Sequence, residues 1–267
     1  MRSQPKILIN TPQIELWPGG LLRARSNHDA RALSRARHVL RRKRDGGFLA
    51  ADLPEGLLPL VHRLRHEPGI EAALDALDAH PAHRRPGLEH VAQLPLDRLH
   101  EHLHALGLDD DYGQRTGLAL VAEPDWLALA GFDRYRRPLW LHVDAARAWS
   151  HLNAAALRDG VVLEAISGYR SHDYQLAIFG RKRARGQSVD EILTVNAAPG
   201  YSEHHSGLAL DIGAPGEPPA EESFEDTAAY AWLHHHAGGY GFEMSYPRDN
   251  PHGIVYEPWH WRFSGPG

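Results

Sequence analysis

The stretch Ser202-Glu203-His204-His205-Ser206-Gly207-Leu208-Ala209-Leu210-Asp211 ends in an alternating run that reads as a β-strand over Leu208–Ile212. Alternation places Leu208, Leu210 and Ile212 on one face and Ala209 and Asp211 on the other. A small residue beside the aspartate leaves room for an ion. His204 stands just before the strand, where a loop can turn it toward the same spot. His204 and Asp211 can therefore reach one metal.

A second stretch, Tyr256-Glu257-Pro258-Trp259-His260-Trp261-Arg262, adds a histidine and a free carboxylate. The chain has no cysteine, so a metal here must be held by imidazole and carboxylate. Two histidines and one carboxylate with an open fourth position make a catalytic zinc site rather than a closed structural one. Zinc lowers the pKa of a bound water to about 7 and so supplies a nucleophile at neutral pH. Glu257 is the candidate for moving the proton of that water to the leaving amine. Pro258 argues against a regular helix, so spacing alone does not show how Glu257 and His260 converge. A third stretch, Ser167-Gly168-Tyr169-Arg170-Ser171 followed by Gln175, puts an arginine at a strand end. There its planar fork can hold a carboxylate or an oxyanion, and glycine allows close backbone approach.

Working outward, the segments around these stretches alternate between helix and strand. The pattern predicts strands at Leu118–Val121, Pro138–Leu141, Val161–Ile166, Phe242–Tyr246, Ile254–Glu257 and Trp259–Phe263. Helices are predicted over His142–Arg158, from just after Ser171, and over Phe224–His236. Ser188 and Glu191 have capping-box spacing, which predicts a short helix from Val189. The first 110 residues or so read as short helices, with apolar periodicity in Leu57–Leu64, Ile70–Leu77 and Leu96–Leu106. Pro54, Pro68, Pro81, Pro86 and Pro95 punctuate them. One helix is predicted from Asn27 to Arg44, stopped by Gly46-Gly47, with Leu33, Ala36, Val39 and Leu40 as its apolar stripe. Its basic face (Arg35, Arg37, Arg41, Arg42, Lys43, Arg44) reads as solvated rather than as a polyanion site. The segment 108–113 reads as a linker. The expected architecture is α+β: a mainly helical accessory region over 1–115, then a catalytic domain over 116–267 with a central antiparallel sheet flanked by helices.

At SGYRS, SEHHSGLALD and YEPWHWR the chain resembles the D-alanyl-D-alanine carboxypeptidases of the VanY type. These belong to a wider group that includes lysostaphin-like endopeptidases and sonic hedgehog. The resemblance covers roughly Gly117 to Phe263, including Trp232-Leu233 and Tyr240-Gly241-Phe242. It implies one zinc ion held by His204, Asp211 and His260, with Glu257 as catalytic base. It gives Arg170 the task of holding the substrate carbonyl or carboxylate. It places Ser202 and Gln175 on the wall of the substrate pocket. His205 stands where relatives often carry glutamine. The implied substrate is a peptide derived from bacterial peptidoglycan, trimmed of a terminal D-alanine. L,D-carboxypeptidase, D,D-dipeptidase and endopeptidase activities sit on the same scaffold, and a recognition module without catalysis is the reading from another class.

Composition narrows the field further. The 267 residues carry a formal net charge of -5, which argues against a general nucleic-acid binder. No apolar run is long enough for a membrane span. The start, MRSQPKILINTPQIELWPGG, is a poor signal peptide, which leaves export unsupported although the implied substrate lies in the cell envelope. Of 20 histidines most are expected to be structural or exposed, including His172, His205, His252 and the run His234–His236. Trp259 and Trp261 are read as packing residues.

Overall fold

The computed structural model describes residues 6–79 and 91–265, apart from the side chain of His28. Pro81, Pro86 and the first five residues of the N-terminal stretch lie outside the described residues. The chain divides into two compact units, residues 1–95 with 124–128 and residues 96–123 with 129–267.

The first unit is built on a sheet, not on helices. Strands β1 (Ile7–Asn10), β2 (Ile14–Pro18), β3 (His38–Arg42), β4 (Phe48–Leu53) and β5 (Gly56–Pro59) follow one another as antiparallel neighbours. β1 also pairs with the start of β6 (Trp126–Phe132), Leu8 facing Leu127. The predicted helix over Asn27–Arg44 is corrected. A short helix α1 (Asn27–Leu33), capped by Ser26, gives way to β3. The reason is visible in the side chains. Val39 and Leu40 are adjacent yet both buried, which a strand covered on two faces achieves and a surface helix does not. Gly46, at φ +68°, turns β3 into β4 instead of ending a helix. The basic residues meet carboxylates: Arg37 with Asp52, Arg41 with Glu15 at 2.7 Å, and Arg42 with Glu67 at 2.7 Å. Leu57–Leu64 likewise begins as β5. Of the predicted early helices, α2 (Ile70–Ala79) forms, and packs Ile70 and Ala73 against Ile14, Leu16 and Leu40.

The second unit contains α3 (Leu99–His104), α4 (Tyr112–Thr116), β7 (Pro138–Leu141), α5 (Val143–Arg158), β8 (Glu164–Ser167), α6 (His172–Arg183), α7 (Val189–Leu193), β9 (Ala209–Gly213), α8 (Ala228–His236), β10 (Phe242–Met244) and β11 (His260–Phe263). Its antiparallel sheet has the order β10-β11-β9-β8. The core side of that sheet carries Leu210, Ile212, Phe242 and Trp261. It packs on Trp149, Leu152 and Ala156 of α5 and on Leu233 of α8. The predicted helices after His142 and Ser171 form, capped by those residues, and Ser188 with Glu191 forms the predicted capping box at α7. Leu118–Val121 and Ile254–Glu257 form no strand. Isolated backbone bonds, Val121 to Gly200, Val255 to Thr194 and Glu257 to Tyr246, hold them in place of a ladder. β6 was not foreseen. The expected boundary at 115/116 falls inside the second unit, because Leu103, Tyr112 and Leu118 share a cluster with Ala197, Ala198 and Tyr201. Among the described residues no helix is long and apolar enough to cross a membrane.

Candidate active site

Strand pairing settles how the two histidine stretches meet. β9 and β11 run antiparallel with Asp211 directly opposite His260 and Leu210 opposite Trp261. Directly opposed residues share a face, so the same register that buries Leu210 and Trp261 puts Asp211 and His260 together on the other side. His260 Nδ1 lies 3.1 Å from Asp211 Oδ1. His204 reaches the same oxygen from a 3-10 turn over Glu203–Ser206, with Nε2 at 3.2 Å. Gly207, at φ +70°, reverses the chain from that turn into β9. Ligand atoms of His204, Asp211 and His260 all lie within 4.8 Å of one another, and all three residues are buried.

Hydrogen bonds decide which nitrogens face inward. His204 Nδ1 donates to the Gly168 carbonyl at 2.7 Å, which leaves the lone pair on Nε2. That Nε2 is buried without a hydrogen-bond partner. Burial and the charge of Arg170 push the His204 pKa down to about 4, so its approach to Asp211 is not an ion pair. Two lone-pair atoms facing each other at this range fit a cation between them. His260 Nε2 donates to Glu203 Oε2 at 2.8 Å, which directs Nδ1 at the same point. Burial works against a charge on His260, but the bonds to Asp211 and Glu203 outweigh it and push the pKa up to about 10. Asp211 is held well below the usual carboxylate range: burial opposes this, and His204 and His260 prevail. The donor set of two imidazoles and one carboxylate, with an orphaned buried nitrogen, therefore fits a metal ion.

Around this centre lies a cavity of about 280 Å³, lined among others by Arg170, Gln175, Ser202, Tyr246 and Glu257. Glu257 sits in the turn before β11, its N–H bonded to the Tyr246 carbonyl, with Oε2 3.9 Å from His260 Nδ1. Burial raises its pKa to about 7. Arg170 follows β8 through Gly168, where a Cβ would come within 2.8 Å of the Trp140 carbonyl oxygen. Arg170 Nε is buried without a partner. Gln175 is buried on α6; its amide donates to the Ala197 carbonyl at 2.8 Å, and its own Oε1 has no partner. Ser202 is buried at the start of the 3-10 turn. Every residue singled out in the sequence for this site thus borders one cavity.

His205, by contrast, lies outside the cavity lining. Its Nδ1 donates to the Arg170 carbonyl at 2.6 Å and its Nε2 accepts the Gly200 N–H at 3.1 Å. His172 and His252 also bond backbone carbonyls, those of Val121 and Thr116. Trp259 and Trp261 belong to the core, and Trp259 also borders the cavity.

A family model described as VanY, D-alanyl-D-alanine carboxypeptidase, matches residues 138–266. The chain is 32% identical over 150 residues to a bifunctional D-Ala-D-Ala dipeptidase and D-Ala-D-Ala carboxypeptidase, VanXYC, of Enterococcus gallinarum, covering 54% of this chain and 76% of that protein. The chain belongs to the VanY family. A D-alanyl-D-alanine carboxypeptidase of Enterococcus faecium is 34% identical over 48% of this chain and 38% of its own length. Among solved structures, the LD-carboxypeptidase LdcB is 36% identical, with a TM-score of 0.44 over 47% of this chain and 60% of that one. The chain spans half or less of the length of three of the curated relatives it matches. The segment matched by the VanY model holds Arg170, His204, Asp211, Glu257 and His260, whereas β1–β5 lie before it.

Two residues of this VanY site were not foreseen. Glu203 stands inside the quoted motif, and a carboxylate beside a metal-binding histidine is a known orienting partner. Its partner, His260, lies 57 residues away, so nothing local marks the pair. Lys182 lies seven residues after Gln175 on α6, two helical turns along the same face. That spacing was the available signal.

Proposed function

We propose that this chain is a zinc-dependent carboxypeptidase that removes a terminal D-amino acid, D-alanine, from peptidoglycan stem peptides. One observation carries the reading: His204, Asp211 and His260 converge on one point, in the cavity that also holds Glu257 and Arg170. The family's names, which specify D-alanyl-D-alanine carboxypeptidase, support the substrate class. The second unit carries the chemistry, and the first is accessory to it.

His204 Nε2, one Asp211 oxygen and His260 Nδ1 are the atoms that would hold the ion. One zinc ion there would supply Lewis acidity, polarising the scissile carbonyl and acidifying water. Glu257 takes the proton of the attacking water and passes it to the leaving amine. Its pKa near neutrality suits both halves of that task. Arg170 directs its unpaired guanidinium N–H at the developing negative charge on the carbonyl oxygen. Ser202 and Gln175 line the wall against which the peptide lies, and the free Oε1 of Gln175 accepts a peptide N–H.

The test is incubation of the zinc-loaded protein with a stem pentapeptide and a stem tetrapeptide, read by mass spectrometry. Loss of one D-alanine is expected, and the preferred peptide separates D,D from L,D cleavage. Glu257→Ala should keep its zinc and lose turnover by at least about 100-fold. Turnover at the wild-type rate in that variant would overturn the assignment of Glu257.

A further inference from the structure

The cavity presents a second cation that the proposed chemistry does not use. Lys182 lies in the last turn of α6 and lines the same wall as Gln175. Its neighbours Arg181, Arg183 and Arg185 are exposed, whereas Lys182 is half-buried. Among the described residues its ammonium makes no hydrogen bond and no ion pair. It nonetheless feels the charges of Arg170 and Glu257, and burial together with Arg170 pulls its pKa down. Two cations that make no ion pair therefore face one partly enclosed space, with Glu257 on its wall. Such a space attracts an anion, because a negative group between them relieves their repulsion and is itself shielded from water.

The anion must belong to the substrate, and the reaction restricts which one. If Arg170 is engaged at the scissile carbonyl, a second negative group lies further along the peptide. In a peptide cut one residue from its end, the terminal carboxylate stands one residue beyond the scissile carbonyl, about 3.8 Å of chain. An internal bond offers no such group there.

We propose that Lys182 is a specificity-determining residue that pairs with the free C-terminal carboxylate of the amino acid to be released. The pairing makes the site an exopeptidase and disfavours peptides whose end is amidated or continued. This inference rests on the carboxypeptidase reading above and deepens it.

The experiment compares two stem peptides that differ only at the end, one a free acid and one a C-terminal amide, on the zinc-loaded wild type, K182M and K182R. Cleavage is followed by mass spectrometry. Binding is followed by calorimetry on the zinc-loaded E257A protein with and without K182M. A charge-assisted hydrogen bond in a partly enclosed site corresponds to about 10- to 100-fold in affinity. The wild type should therefore favour the acid by that factor, mainly in KM. K182M should lose the preference, and K182R should keep most of it. An equal fall for acid and amide in K182M, with a shifted pH profile, would place Lys182 at Glu257 instead and overturn the proposal. An unchanged acid preference in K182M would do the same. If the wild type cleaves neither peptide, the carboxypeptidase reading fails, and the calorimetric acid-to-amide ratio still decides for or against Lys182.

Discussion

Glu203 shows how one side chain can govern a site without lining its chemistry. Its bond to His260 Nε2 fixes the ring so that Nδ1 faces Asp211. Arg262 approaches the other carboxylate oxygen at 3.7 Å and helps to hold it. Glu203→Gln keeps the shape but removes the charged acceptor, and its amide can be turned to present NH₂ to the ring. Metal affinity is expected to fall about 10- to 100-fold, the range for lost orienting partners. Competition with a chelator of known affinity measures this directly, and an unaltered affinity would show that packing alone orients His260. At the same scale, the histidines divide by what their nitrogens meet. His205 is saturated by backbone groups, whereas His204 keeps one buried nitrogen without a partner. Sequence showed both as adjacent members of one motif. Only the hydrogen bonds tell them apart.

At the scale of elements, α6 is fastened to α3 by a buried charge cluster. Arg98 grips Asp173 with two bonds of 2.8 and 3.0 Å, and His102 Nε2 reaches it at 3.2 Å. Asp173 opens the helix that presents Gln175 and Lys182, so the cluster sets the position of one cavity wall. Asp173→Asn leaves His102 buried without its carboxylate and Arg98 with only Glu101 at 3.7 Å, and should destabilise the fold by about 3 kcal/mol. Burial raises the Asp173 pKa, but His102 and Arg98 outweigh it and hold it well below the ordinary value. A carboxylate lowered in the folded state stabilises fully above its unfolded pKa, and that stability is lost as pH falls through the folded value. Wild-type stability should therefore drop below about pH 4 more steeply than that of Asp173→Asn. Urea midpoints measured from pH 3 to 7 check both statements; parallel curves would remove Asp173 as the cause.

For the molecule as a whole, metal and stability should be linked through the second unit, because the three proposed ligands come from β9, β11 and the turn before β9. A ligand that binds only the folded state stabilises it by about 2.7 kcal/mol at 100 times its Kd. Chelation should therefore lower the melting temperature by several degrees, and added zinc should restore it; no shift in a protein shown to bind zinc would mean that zinc binds the unfolded chain as well as the folded one. The sequence by itself determined the choice of Arg170, His204, Asp211, Glu257 and His260, which share the cavity, and the helices α5 to α8. Capping residues such as Ser171 and Ser188 act on their own next few amides, and the alternation in Leu208–Ile212 assigns faces within one strand. The same local logic failed in the first unit. Leu33, Ala36, Val39 and Leu40 suit a helical stripe, but β2 and β4 offer backbone partners on both sides, and partners distant in sequence leave no periodic trace. Tertiary structure alone decided that Asp211 faces His260 and that Glu203 turns the ring, with Lys182 brought into the cavity of Arg170. Each of these depends on strand register or on helix docking, in which the energies are summed over many residues and no single stretch of chain contains the answer.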